Sequence, residues 1–536
     1  MKMKNGFVIL PYLFLLLFSG AVAAQNTLSF EIEDEEYWWG CFSNSGINMP
    51  LGQDSEFSAD LFANNASNQA QPFMLSSHGR YFWSENPFRV SITDGKIVVD
   101  RNISEIVFSD TLKSLKSAFL DASSKFFPSD GKIPDEYFFT RPQYNTWIEL
   151  IYDQNQKGIL EYAKSIIANG FAPGVLMIDD NWQEDYGNWT FSSERFPDPE
   201  KMIDELHEMG FKVMLWVCPF VSPDSRIYRD LNAKGYLLHD RDKVESMWKS
   251  RAAAMVSWWN GVSAVLDLSN PGAFDWFYGE LQNLVEVYGI DGFKFDAGDS
   301  QYYTADMKSF EPRIPNQHTE DYMRLGTMFS LNEFRASWKY AGRPLVQRLS
   351  DKGHRWSDLS KLIPNSIVQG LLGYSYTCPD MIGGGEYKSF MNASVIDQEL
   401  IVRSAQIHAL MPMMQFSVSP WRVLDKKNLK ICREMAALHV SFGEYFLLLA
   451  KKSSITGEPI LRPMCWSSPG TENIKDQFMI GEDLVVAPIV TKNTYEREVF
   501  LPEGVWKDDL GEMYKGPVTI RTEVPLNRLP YYRKER

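Results

Sequence analysis

Between residues 144 and 416 the chain alternates short apolar runs with segments of helical spacing. Residues 175–178 and 212–217 are strand-like, and residues 158–168 and 199–209 have the spacing of amphipathic helices. Further strands are predicted at 145–150, 293–295, 345–348, near Trp356, at 373–377 and at 411–416. Repeated strand and helix units predict a parallel sheet, and about eight of them predict an α/β fold closed into a (β/α)8 TIM barrel.

The segments on either side of this region are typical of β-domains. Short strand-like runs broken by Asn, Asp, Ser and Gly precede it, and similar runs follow residue 456. At 536 residues the chain has the length of several domains. We therefore predict, in order, a signal peptide (1–24), an N-terminal β-sandwich (25–140), the catalytic barrel (141–455) and a C-terminal β-sandwich (456–536).

The first two dozen residues have the pattern of a secretory signal. Lys2 and Lys4 precede an apolar stretch at 7–18, and Ala-rich residues 21–24 follow it. We expect cleavage near residue 24 and a secreted or periplasmic protein, with an uncleaved membrane anchor as the alternative. The net charge of −15 and the lack of a basic run argue against nucleic acid and anionic membranes as partners.

Polar residues stand at the ends of the predicted strands, where barrel enzymes carry their active sites. These residues are Asp179, Asp180, Asp296, Arg348, Asp358 and Asp380. A glycosidase needs two carboxyl groups beside one glycosidic bond, and Asp296 and Asp358 end different strands. We expect these two to face each other across the barrel mouth. The alternative is that either one is a helix cap or an ion-pair partner.

A second acidic pair and one lysine lie beside this candidate site. Asp179 and Asp180 suit hydrogen bonds to sugar hydroxyls or a metal ion, but no further ligands at regular spacing support a metal. Lys294 precedes Asp296 by two residues on the same strand face, where its ammonium would lower the carboxyl pKa and donate to a hydroxyl. We expect neither a metal nor a cofactor.

Several motifs together resemble glycoside hydrolase family 31, the retaining α-glycosidases that include α-glucosidases and α-xylosidases. They cover most of the mature chain and lie at 178–181, 195–199, 210–216, 258–259, 267–271, 458–463, 477–479 and 486–488. The resemblance implies that Asp296 is the nucleophile and that Asp358 is the acid/base. The family pattern has an extra Gly before that second Asp, and Asp351 is the nearest rival. Retention predicts carboxyl groups about 5–5.5 Å apart.

The resemblance also implies which residues contact the sugar and which sugar it is. The implied contacts are Asp179, Asp180, Trp216, Cys218, Lys294, Arg348, Trp356, Asp380 and Ser417. Cys218 stands where α-glucosidases carry an Asp, and Ser417 stands near the position of a sugar-binding His. Together with Lys-Phe-Asp-Ala-Gly at 294–298 and Pro-Trp-Arg at 420–422, these departures are similar to the family's α-galactosidase branch.

The function implied by the resemblance is a retaining exo-α-galactosidase. It would hydrolyse terminal α-linked galactose by double displacement through a covalent glycosyl-enzyme, so its partner would be an oligosaccharide or glycoside that ends in α-galactose. Two alternatives stay open. One is an α-glucosidase or α-xylosidase of the same family, and the other is a catalytically silent carbohydrate-binding protein that keeps the fold.

Overall fold

The computed structural model describes residues 27–240, 252–391, 393 and 395–535. The predicted signal peptide at 1–24 lies outside these residues. Within the described ranges, no helix combines the length and the apolar character that crossing a membrane requires. The described chain contains a β-domain, a barrel and a second β-domain, in that order.

The central region is a parallel sheet of eight strands, which we number in chain order. They are β1 (Gln143–Asn145), β2 (Val175–Ile178), β3 (Lys212–Val217), β4 (Gly292–Phe295), β5 (Leu331–Phe334), β6 (Val346–Arg348), β7 (Thr377–Cys378) and β8 (Gln415–Phe416). Consecutive strands from β1 to β7 pair in parallel, and β8 pairs with β1. A bridge between Met381 and Gln415 nearly closes the ring. The predicted TIM-barrel class is confirmed.

Each barrel strand except β5 is followed in the chain by at least one helix, as is typical of such a barrel. Their bounds are Trp147–Leu150, Gln156–Ala168, Pro199–Glu208, Arg226–Lys234, Pro271–Tyr288, Pro315–Gly326, Trp356–Leu359, Leu362–Leu371, Gln398–Ala409, Pro420–Val423 and Lys426–Thr456. The helix before β4 begins at Pro271, and the Asn270 side chain accepts a hydrogen bond from the Gly272 N–H. It ends at Gly289, whose φ of 73° turns the chain towards β4.

The barrel differs from the prediction at three places. Residues 145–150 form the end of β1 and a helical turn, and the chain around Trp356 is helical instead of extended. Strand β5 was missed because two of its four residues, Asn332 and Glu333, are polar. Both are fully buried and hydrogen-bonded: Asn332 donates to two backbone carbonyls, and Glu333 accepts from Arg348 and Gln415.

The N-terminal domain consists of two antiparallel sheets that pack face to face. Its strands are Leu28–Glu31, Trp38–Phe42, Phe57–Asp60, Gln69–Ser76, Tyr81–Ser84, Arg89–Thr93, Lys96–Asp100 and Ile106–Ser109. The ring of Phe30 in one sheet contacts Trp38, Phe82 and Phe108 in the other, with centroids 4.8–6.1 Å apart. The barrel segment Ser337–Trp338 joins this domain by pairing with the strand Gln69–Ser76.

The C-terminal domain is a single antiparallel sheet of six strands. They are Leu461–Arg462, Phe478–Ile480, Leu484–Val486, Glu496–Asp508, Met513–Glu523 and Tyr531–Glu535. A second β-domain was predicted correctly, but the predicted sandwich of two sheets is not what forms. The strand 496–508 pairs with 513–523 along most of its length and also with 531–535, so the long hairpin belongs to the one sheet. Val499, Leu501 and Trp506 are buried in the small core of this domain.

Candidate active site

A cavity of about 480 Å³ opens beside the carboxyl ends of β2, β4 and β5. Its aromatic lining consists of Trp147, Tyr152, Trp216, Trp259, Tyr302 and Tyr387. Its polar lining consists of Ser67, Asp179, Asp180, Lys294, Asp296, Asp299, Arg335, Ser350, Asp351, Glu386 and Lys388. Aromatic rings and many charged groups in one cavity are suited to a polar, ring-shaped ligand such as a sugar.

Asp296 directly follows β4 and is a fixed carboxylate in this cavity. Its Oδ2 accepts a hydrogen bond from Trp216 Nε1 at 2.9 Å, and its Oδ1 accepts one from Arg335 Nε at 2.9 Å. Lys294 Nζ lies 3.9 Å from Oδ2. Burial raises the pKa of Asp296, but the charges of Arg335 and Lys294 outweigh burial and hold the pKa well below its usual range. Asp296 is therefore ionised and oriented, as a carboxylate nucleophile must be.

Arg335, which sequence reasoning missed, connects the nucleophile to the N-terminal domain. Its Nη2 donates to Asp299 Oδ2 at 2.6 Å, and its Nη1 donates to the carbonyl oxygen of Ser67 at 2.7 Å. Ser67 belongs to the N-terminal domain, and the chain just after Arg335 pairs with a strand of that domain. The N-terminal domain thus fixes the guanidinium that orients Asp296.

Asp179 and Asp180 follow β2 and have different partners. Lys294 Nζ donates to Asp179 Oδ2 at 2.7 Å, and both side chains are buried. Asp180 accepts hydrogen bonds from Asn260 Nδ2 at 2.6 Å and from the Tyr186 hydroxyl at 3.3 Å. Burial and the charge of Asp179 raise the pKa of Asp180 to about 7. Near neutral pH this pair can therefore both donate to and accept from hydroxyl groups.

Asp351, in the loop after β6, shares the cavity with Asp296. Arg348 Nη1 donates to Asp351 Oδ1 at 2.7 Å and also lies 3.1 Å from Asp380 Oδ1. The Asp351 side chain is 37% exposed. Burial raises the pKa of Asp351, but the charges of Arg348 and Lys294 outweigh it and lower the pKa. The cavity thus contains a second carboxylate that is more accessible than the first.

Asp358, predicted to face Asp296, does not line this cavity. It lies in the helix Trp356–Leu359, where its Oδ1 accepts from Lys361 Nζ at 2.6 Å and its Oδ2 accepts from the Gly353 N–H at 3.0 Å. Burial raises the pKa of Asp358, but the Lys361 ammonium outweighs it and lowers the pKa. In this structure Asp358 therefore has the contacts of an ion-pair partner, the alternative that the sequence left open, and its role as the acid/base stays a prediction.

The predicted sugar contacts divide into two groups. Asp179, Asp180, Trp216 and Lys294 line the cavity. Outside its lining are Cys218, Arg348, Trp356, Asp380 and Ser417. Arg348 and Asp380 contact each other behind Asp351, and Cys218 is fully buried. The Ser417 hydroxyl accepts from the Ile148 N–H at 2.8 Å, and Trp356 Nε1 donates to Asp397 at 3.0 Å. In this structure none of these five side chains is part of the cavity lining, and their roles as sugar contacts stay predictions.

The sequence contained weak signals for some of the missed residues. Asp299 lies three residues after Asp296 in the same motif, and Trp259 is half of an adjacent Trp pair. Trp259 is 46% exposed and its ring lies 5.6 Å from the Arg335 guanidinium, at the solvent side of the cavity. Ser67, Glu386 and Tyr387 had no such signal, because only the packing of distant segments brings them to the barrel mouth.

The acidic groups of the site are already bound to nitrogen donors. Asp179 contacts Lys294, and Asp180 contacts Asn260. Across the described ranges of the chain, no group of three or more His, Cys, Asp or Glu side chains is placed to hold a metal ion.

Both the barrel and the C-terminal sheet match a known family. A model described as the TIM-barrel domain of glycosyl hydrolases family 31 matches residues 141–447. A model of that family's C-terminal domain matches residues 457–535. The first match alone spans more than half of the chain. The chain therefore belongs to glycosyl hydrolase family 31, and the family predicted from the sequence motifs is confirmed.

Individual relatives differ in what their names state. The chain is 33% identical over 416 residues to the myogenesis-regulating glycosidase of Mus musculus, covering 75% of this chain and 57% of that protein. It is 23% identical to alpha-glucosidase 2 of Bacillus thermoamyloliquefaciens, covering 94% and 68%. A solved α-xylosidase from a soil metagenome, complexed with xylose, shares the fold with a TM-score of 0.81 at 20% identity, covering 95% and 79%. Against three curated relatives the chain spans 46–60% of their lengths.

Proposed function

We propose that this protein is a retaining α-glycosidase with Asp296 as its nucleophile and Asp351 as its acid/base. The observation that carries the proposal is that these two carboxyl groups share one cavity at the barrel mouth, while Asp358 is engaged elsewhere. Asp296 is held ionised by Arg335 and Lys294, and Trp216 directs one of its oxygens. A buried, charged, oriented carboxylate is costly to fold and is typical of a catalytic centre.

The first chemical step would be attack by Asp296 on the anomeric carbon of a terminal sugar. Asp351 would give its proton to the glycosidic oxygen as the bond to the leaving group breaks. In the second step Asp351 would take a proton from water, and that water would release the sugar from Asp296. A sugar in the cavity removes water from around Asp351, and desolvation favours the protonated carboxyl that the first step requires.

The sugar that we propose for this cavity is α-galactose. The support is the resemblance of residues 294–298 to the α-galactosidase branch, together with the position of Asp179, Asp180 and Lys294 in the cavity lining. A charged cluster of this kind discriminates between epimers, because a misplaced hydroxyl leaves a buried charged group unpaired. Such a group costs about 1–3 kcal/mol or more.

The second candidate is α-glucose or α-xylose. The names of the relatives favour it more directly than galactose, since they include an α-glucosidase and an α-xylosidase. These names describe proteins that share less than a quarter of their residues with this chain at the aligned positions. Differences in the few residues that line a sugar pocket are sufficient to change which epimer binds.

A panel of nitrophenyl α-glycosides of galactose, glucose and xylose tests the proposal directly. The highest kcat/KM is expected for the α-galactoside, and the first sugar released should be the α-anomer by NMR. A preference for glucose or xylose would overturn the proposed sugar but leave the proposed mechanism unchanged. Release of the β-anomer would rule out the double displacement. Secretion or a periplasmic location stays a prediction from residues 1–24, to be tested by N-terminal sequencing of exported protein.

A further inference from the structure

A second cavity, of about 460 Å³, lies in the C-terminal domain. It is close in volume to the catalytic cavity of about 480 Å³, and the two have no lining residue in common. It is lined by Arg462 and Trp466, by the turn at Gly481 and Glu482, and by part of the strand Glu496–Asp508. Nothing in the proposed catalysis uses these residues.

The cavity is part of the domain's regular construction. The pairing of the long hairpin shifts register between Leu501 and Gly504, which bends the strand away from its neighbour. Gly504 has a φ of 135°, which residues other than glycine rarely adopt, so the bend depends on glycine. Trp506 Nε1 donates to the Pro502 carbonyl at 2.8 Å and fixes the bend from inside.

Two buried donors beside the cavity have no hydrogen bond to any described residue. Arg462 is 2% exposed; its Nε donates to the Pro459 carbonyl at 2.7 Å and its Nη2 to Glu458 at 2.8 Å. Its Nη1 makes no hydrogen bond, although it lies within ion-pair distance, 3.6 Å, of the Glu482 carboxylate. Trp466 Nε1 likewise has no partner. Buried donors of this kind are rare in native proteins and indicate an acceptor that comes from outside.

The lining of the cavity has two cations and two anions, so a ligand with a large net charge of either sign would meet repulsion from one pair. Arg462 and Lys534 would repel an organic cation, and Glu482 and Glu503 would repel a phosphate or carboxylate. A neutral ligand with many hydroxyl groups suits this set, because each hydroxyl both donates and accepts. The indole of Trp466 and the side chain of Met479 supply apolar surface for the face of a sugar ring.

We propose that this cavity is a second, non-catalytic binding site for a neutral saccharide. The donors of Arg462 and Trp466 that make no hydrogen bond would bind sugar hydroxyls, and the exposed carboxylates of Glu482 and Glu503 would accept from them. Such a site would hold one part of an oligosaccharide while its terminal sugar reacts in the barrel of the same or another molecule. Binding at this site does not depend on hydrolysis, so the proposal can be tested independently of the proposed catalysis.

Calorimetric titration with raffinose and isomaltotriose tests the proposal. The full chain carrying Asp296→Asn is used, so that neither trisaccharide is hydrolysed. Ser467→Trp is added to fill the cavity from an exposed position on its edge. Lys507→Ala, an exposed change on the same strand Glu496–Asp508 but outside the cavity lining, is the matched control. Circular dichroism confirms that each variant is folded.

One binding event per chain should disappear, or weaken by at least about tenfold, in the Ser467→Trp protein and persist in the Lys507→Ala protein. If the barrel binds neither trisaccharide, the Ser467→Trp change reduces the number of binding events per chain from one to zero. If the barrel does bind, it reduces that number from two to one, so the two proposals can be told apart. Equal binding in both variants would overturn the second site. So would tighter binding of inorganic phosphate or spermidine, or a crystal of the raffinose-soaked protein with only water beside Arg462.

Discussion

The carboxylate after β4 and the carboxylate in the loop after β6 face one cavity but are held in different ways. Asp296 has three hydrogen-bond donors, the side chains of Trp216 and Arg335 and the N–H of Ala297, and its side chain is 11% exposed. Asp351 has one guanidinium partner, Arg348, and its side chain is 37% exposed. The first group follows a regular strand, whereas the second lies in a loop that folds back on itself through contacts to Asp358 and Asp380.

This difference matches the different demands of the two proposed roles. A nucleophile must stay ionised and keep its angle to the anomeric carbon, so several fixed donors are an advantage. An acid/base must gain and lose a proton in each cycle, so access to water and a single charged partner are an advantage. The position of a carboxylate on the barrel is therefore not enough to assign its role. The number and charge of its donors are also needed.

Replacing Asp296 with Ala should have the largest effect and is the strongest test of the first half of this comparison. We expect kcat with a nitrophenyl α-glycoside to fall by about 10⁴-fold or more, because no group remains to form the covalent intermediate. Sodium azide should restore turnover and give a β-glycosyl azide, since the anion then attacks from the side that Asp296 occupied. An α-azide product, or activity within tenfold of the natural protein, would contradict the nucleophile assignment.

Replacing Asp351 with Ala should have the next largest effect, and it tests the assignment of Asp351 as the acid/base. We expect kcat/KM to fall by about 10²–10⁴-fold for substrates with poor leaving groups, and less for dinitrophenyl glycosides, which need little protonation. Asp358→Ala is the matched control, because Asp358 is outside the cavity and should change kcat/KM by less than about threefold. If the two variants exchange these results, the acid/base is Asp358 after all.

The same two regions show what a sequence can predict about such a site. Strand β4 is apolar and short, and the Asp that follows it was found because a charge there breaks a clear pattern. Asp351 and Asp358 are seven residues apart, and only the path of the loop decides which one reaches the cavity. Glycine at 353 helps that path, since a Cβ there would lie within 2.9 Å of Asp358 Oδ2.

Arg335 is a second residue that could not be predicted from the sequence. Strand β5, which positions it, contains Asn332 and Glu333, and a strand with buried polar residues has no apolar pattern to detect. Its partner Ser67 is more than 260 residues away in the chain. The barrel class, the two β-domains and the helices before β2 and β3 could be predicted, because each depends on local periodicity. Contacts between domains could not, because no local pattern encodes them.

Replacing Arg335 should change the pKa of the nucleophile Asp296 while Asp296 itself stays in place. In Arg335→Gln the positive charge that lowers the Asp296 pKa is lost, so the acidic limb of the kcat/KM profile should move to higher pH. We also expect kcat to fall by about 10–100-fold as Asp296 loses a donor. Arg335→Lys keeps the charge but cannot bind Asp296 and Asp299 together, so its kcat should fall with a smaller pH shift. An unchanged pH profile in Arg335→Gln would show that Arg335 does not set the pKa of Asp296.

The smallest expected effect concerns stability, and it contrasts Asp180 with Asp358. The pKa of Asp180 is raised to about 7, so the folded protein binds a proton there that the unfolded chain has lost above about pH 4. Stability is therefore lost as pH rises from 4 to 7, and Asp180→Asn should avoid that loss. Relative to the natural protein, the Tm of Asp180→Asn should be higher at pH 8 than at pH 5 by about 1–3 °C.

Asp358→Asn provides the opposite case in the same measurement. The pKa of Asp358 is lowered by Lys361, so its contribution to stability is complete above the unfolded pKa of about 4 and is lost only as pH falls below that value. The Tm difference between Asp358→Asn and the natural protein should consequently be the same at pH 5 and pH 8. A parallel pH dependence in both variants would mean that burial and the Asp179 charge do not hold a proton on Asp180. The raised pKa of Asp180 and the lowered pKa of Asp358 would then need a cause other than the charges beside them.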